Sequence, residues 1–142
     1  MATPQAALII VPALVLGAVI GIYEALVIHR DVQVPTHRFG HMIHALILSI
    51  IFVFVSMNVE FVLSLIPQLK GTFFGNPIVM QIGVGLLAAI KIHGVSAAIK
   101  GTSGSSMGMK ETWFHSILVG ALIVGAPYGY PLLKPILPKW AQ

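Results

Sequence analysis

The sequence predicts an all-α integral membrane protein, a four-transmembrane-helix bundle with both termini on the same side. Hydrophobic residues make up 57% of the chain and charged residues only 8%, whereas roughly 25% of a soluble domain is charged. Mean hydropathy is +0.95, which leaves too little polar surface to cover a water-facing exterior. Four apolar runs each approach the ~20 residues that span a hydrocarbon core ~30 Å thick. At 142 residues, the chain reads as a single transmembrane domain over 1–142.

The first span is expected over about 6–28. A secretory signal is not expected there, because residues 1–5 lack a basic region and the apolar stretch is too long. The polar connector that follows runs from His29 to Thr36, with Thr36 as a helix cap or Pro35 in the first turn of the next helix. The second span covers about 40–66 and stops at Pro67. Asn76 and Pro77 form an N-cap and first-position pair for the third span, about 78–99. The Gly- and Ser-rich stretch 101–108 reads as a loop. The fourth span covers about 112–130. Pro127, Pro131, Pro135 and Pro138 are expected to break helical regularity, leaving 131–142 as a Pro-rich interfacial tail.

Four crossings put both termini at one membrane face, termed face A, and the connectors near residues 33 and 105 at the opposite face B. Tyr23 and Trp113 suit aromatic anchors at face B, and Tyr128, Tyr130 and Trp140 suit face A. Arg30, Arg38, Lys100 and Lys110 at face B outnumber Lys70, Lys134 and Lys139 at face A by one, which favours face B as cytoplasmic. The net charge of +4 comes from scattered Lys and Arg. Lipid headgroups are therefore the expected partner, and nucleic acid is not. The absence of cysteine excludes disulfides, cysteine-ligated iron–sulfur clusters and c-type haem attachment.

Lipid gives no hydrophobic drive between helices, so small residues that allow close backbone approach mark the contacts. The expected packing stripes are Ala13, Gly17 and Gly21; Gly85 and Ala89; and Ala121, Gly125 and Gly129. The first two stripes aim Glu24 and His93 into the bundle, because either group facing lipid is costly. The abundance of small residues also suits a homo-oligomer or assembly with other membrane subunits.

With the helices alternating in direction, all six histidines and three of the four acidic residues gather toward face B. His37, His41 and His44 fall within about 60° of one helix face. His41 and His44, joined by Glu24, His93 and His115, form a candidate metal-ligand set. Imidazole and carboxylate donors suit Zn, Cu or Fe. Histidines on two different helices alternatively suit the axial positions of haem b. The leading expectation is thus a metal- or haem-binding component of an oligomer or larger membrane complex.

A second reading is a homo-oligomeric ion or proton channel or transporter, with Glu60, Gln81, Glu24 and Lys91 on its pathway. Glu60 is expected ~9 Å inside face A, on one helix face with Ser49 and Ser56. Gln81 and Tyr128 are its partners at suitable depth. Lys91 points away from the His93 face and is expected either to pair with Glu24 or to extend its stem to face B. A third reading is a structural subunit with no site of its own. No phosphate-cradling glycine motif, GxSxG elbow or HExxH pair occurs, so autonomous catalysis has no support.

Overall fold

Leu-, Ile-, Val- and Ala-rich runs punctuated by Pro, Gly and Asn form helices throughout, and no strand occurs among the described residues. The computed structural model describes the backbone of residues 8–31, 35–102 and 113–142, and the side chains of 8–26, 42–94 and 113–142. The connectors near residues 33 and 105 lie outside the described residues, as do the side chains of His29, Asp31, His37, His41 and Glu111.

The α-helices are α1 (Val11–Asp31), α2 (Pro35–Met57), α3 (Val59–Ser64), α4 (Pro77–Thr102) and α5 (Trp113–Leu133). Two stretches are long and apolar enough to cross a membrane, Pro77–Gly94 and Trp113–Ile136. Val11–Leu26 and Met42–Met57 are shorter apolar helical stretches.

The helix boundaries follow local chemistry. The Ile78 N–H donates to Asn76 Oδ1 at 2.9 Å, so Asn76 satisfies one of the orphan donors at the start of α4. α2 begins at Pro35, which takes the first-turn position suited to a residue without an N–H. The expected second span over 40–66 is interrupted. Asn58 leaves the helical conformation at φ −117° and ψ 33°, separating α2 from α3. Its side chain explains the break, because it donates to the carbonyls of Phe54 (2.9 Å) and Ile9 (3.1 Å) and accepts the Ile9 N–H (2.7 Å). The amide thereby staples the segment entering α1 to the end of α2.

Prolines in the fourth run act differently from expectation. α5 continues through Pro127 and Pro131 to Leu133. Each proline removes one helical donor, a loss tolerated where the surrounding helix is apolar and its neighbours hold it. Beyond α5 come short 3₁₀ turns at Lys134–Ile136 and Lys139–Ala141. The second turn folds back against α1, with Ala141 fully buried. The connection between α3 and α4 also consists of 3₁₀ turns, and only Gly71 in it takes a left-handed conformation, at φ 78°.

The long helices pack in antiparallel succession. α1 lies along α2 so closely that a Cβ on Gly17 would fall 2.6 Å from the Ile50 Cα, and one on Gly21 would fall 2.8 Å from the Leu46 Cα. α4 and α5 meet in the same way, since a Cβ on Gly120 would fall 2.6 Å from the Gly85 carbonyl oxygen. The stripe expected on the fourth helix is therefore displaced. Ala121 is exposed and nothing lies within 4 Å of a Cβ on Gly125 or Gly129. Gly120 makes the approach instead, against Gly85 and Ala89, with Val124 one turn on beside Gly85. Leu16, Val53, Val84, Val119 and Ile123 belong to the central apolar cluster that joins the two helix pairs.

Candidate functional site

Two sets of buried polar side chains flank that apolar cluster along the helices. The first is carried by the C-terminal half of α1, the middle of α2 and the first turn of α5. Glu24 is 3% exposed, carried there by the Gly17 and Gly21 face that presses α1 onto α2. The Ser49 hydroxyl donates to Glu24 Oε2 at 2.9 Å. His115, 8% exposed, occupies the first turn of α5, and its ring centroid lies 5.8 Å from that of Tyr23, the residue next to Glu24. Ser116 beside it is fully buried. This end of the bundle therefore combines a carboxylate, an imidazole, two hydroxyls and a phenol at the junction of α1, α2 and α5.

The remaining histidines are arranged differently. His93 is half-buried and stacks on Trp113 with ring centroids 3.8 Å apart and an interplanar angle of 17°. Its Nδ1 is buried with no hydrogen-bond partner among the described residues. His44 is exposed on the outside of α2, and Lys91 is exposed on α4. Among the described residues, no three His, Asp or Glu side chains come together. His41 lies outside the described side chains.

The second set lies near the opposite ends of the helices. Gln81 Nε2 donates to the Ser56 carbonyl at 3.0 Å, and the Tyr128 hydroxyl donates to Gln81 Oε1 at 2.7 Å. Ser56 is fully buried and Gln81 is 6% exposed. Glu60, expected on the Ser49 and Ser56 face, is exposed instead. The non-helical conformation of Asn58 lies between Ser56 and Glu60. Glu60 and Gln81 nevertheless border one cleft.

Several contacts were not legible from spacing alone. Ser49 serves Glu24 rather than Glu60, and the Trp113 ring covers one face of His93. Asn58 gave a signal, an amide inside an apolar run, whose meaning depends on the position of Ile9 far away in sequence. No protein-family model matches the chain, and no match was found among curated proteins or solved structures.

Proposed function

We propose that the chain is a four-pass membrane protein that holds a single transition-metal ion at the Glu24 and His115 end of its bundle. The observation that carries this reading is a carboxylate 3% exposed and hydrogen-bonded by Ser49, next in sequence to Tyr23, whose ring lies 5.8 Å from that of buried His115. Ionisable groups inside a membrane bundle are expensive, so their retention points to function. The membrane placement is supported by large apolar side chains exposed along all the long helices, including Val19, Ile47, Leu86 and Ile117. In water such a surface would promote aggregation. In a bilayer it meets acyl chains.

Oxygen and nitrogen donors of this kind suit Zn, Cu or Fe. The Ser49 hydroxyl acts as an outer partner that orients the Glu24 carboxylate. His44 and His93 are outside this set, one by its exposure and the other by its stack on Trp113. A lone ion is favoured over haem b because α1 and α2 touch through Gly17 and Gly21, which leaves no slot for a macrocycle between them. The apolar cluster containing Val53, Val119 and Ile123 lies between the two polar sets, which favours a bound ion over a through-bundle route for protons.

Zinc loading followed by chelator-free gel filtration and elemental analysis tests the proposal. The wild-type protein is expected to retain about one ion per chain, as a single site requires, and Glu24→Gln and His115→Ala to lose it. A folded wild-type preparation that retains no stoichiometric zinc, copper or iron contradicts the assignment.

A further inference from the structure

The break at Asn58 opens a cleft of about 280 Å³ bordered by Ile9, Met57, Asn58, Glu60, Phe61 and Gln81. Its polar lining is dominated by acceptors. Both Asn58 Nδ2 protons are committed, to the carbonyls of Ile9 and Phe54. One Gln81 Nε2 proton is committed to Ser56. Asn58 Oδ1 and Gln81 Oε1 each accept one hydrogen bond, from the Ile9 N–H and the Tyr128 hydroxyl, so each oxygen retains a second lone pair. Glu60 makes no hydrogen bond or ion pair among the described residues. A carboxylate residue, two amide residues and an aromatic residue thus border a space whose other lining residues, Ile9, Met57 and Val59, are apolar.

We propose that this cleft binds a small organic ammonium ion, with Glu60 as its counter-charge. An inorganic cation uses the oxygens but gains nothing from Ile9, Met57 and Phe61. An alkylammonium satisfies both parts: its charged head meets the carboxylate and amide oxygens, its carbons meet the apolar walls, and Phe61 offers the attraction of an aromatic ring for a cation. The volume is near the lower limit of ordinary ligand pockets, ~300 Å³, which suits a ligand of few carbons. The site shares the helix packing with the Glu24 assignment but none of its residues, and the two fail separately.

Butylammonium chloride titrated calorimetrically into the detergent-purified full chain tests the inference. Saturable binding near one ligand per chain is expected, as one cleft requires, with at least about tenfold weakening in Glu60→Gln from loss of the charge partner. Glu60→Asp should keep part of the affinity, and 1-butanol, which has the same carbons and no charge, should bind at least about tenfold more weakly. Because Glu60 is exposed and makes no hydrogen bond or ion pair among the described residues, unchanged helical circular dichroism is expected in both variants. Equal binding by wild type and Glu60→Gln, equal binding of butanol, or sodium competing as well as butylammonium would each overturn the proposal, as would no binding to the folded wild type.

Discussion

Glu24 shows how one residue's chemistry depends on a partner remote in sequence. Its side chain is carried into the bundle by a helix face of small residues, and Ser49 on the neighbouring helix meets it with a hydroxyl donor. The inward direction of Glu24 is readable from Gly17 and Gly21, because glycines spaced by four mark the side of α1 that approaches another backbone. The identity of the donor is not readable, since Ser49 faces α1 only once the register of α2 is fixed by Gly21 against Leu46. Ser49→Ala is expected to weaken metal retention about 10–100-fold by freeing the carboxylate from its outer partner, with helical content unchanged. Competition with a chelator of known affinity measures this, and unchanged retention would remove Ser49 from the site.

At the scale of elements, the chain uses glycine and asparagine for opposite ends. Gly120 and Gly85 bring α5 and α4 into backbone contact, whereas Asn58 ends one helix and begins another by capturing Ile9. Helical periodicity locates the long helices because apolar runs are long and unbroken. It misplaces the α5 packing face by one residue, from Ala121 to Gly120, because small residues occur on both sides of that helix and spacing alone cannot choose between them. Glu60 is exposed where a buried position was expected, and the non-helical conformation at Asn58 just before it had no signal in helical spacing. Gly120→Ala is expected to destabilise the folded chain by about 1–3 kcal/mol, the range for overpacking, since its Cβ would meet backbone atoms. Gly125→Ala places its Cβ in open space and is expected to be neutral or to stabilise by up to about 1 kcal/mol through helix propensity. Thermal unfolding in detergent separates the two. Equal destabilisation by both would mean that Gly125 also meets a neighbour, for which an oligomer is the natural source.

For the whole molecule, composition and run length were enough to anticipate an all-helical chain, because 57% hydrophobic content leaves few alternatives for satisfying the backbone away from water. Antiparallel succession then gathers residues distant in sequence: Glu24 and His115 toward one end, Gln81, Tyr128 and Glu60 toward the other. The proposed functional division into a metal site and an ammonium cleft depends on those ends facing opposite sides of a bilayer. The absence of native cysteine makes this directly measurable, by placing single cysteines at residues 33, 71, 105 and 142 and labelling intact vesicles with a membrane-impermeant maleimide. Four crossings predict that 33 and 105 are modified from one side, and 71 and 142 only from the other. Modification of 33 and 105 from opposite sides would contradict the four-pass arrangement and, with it, the shared membrane level of Glu24 and His115.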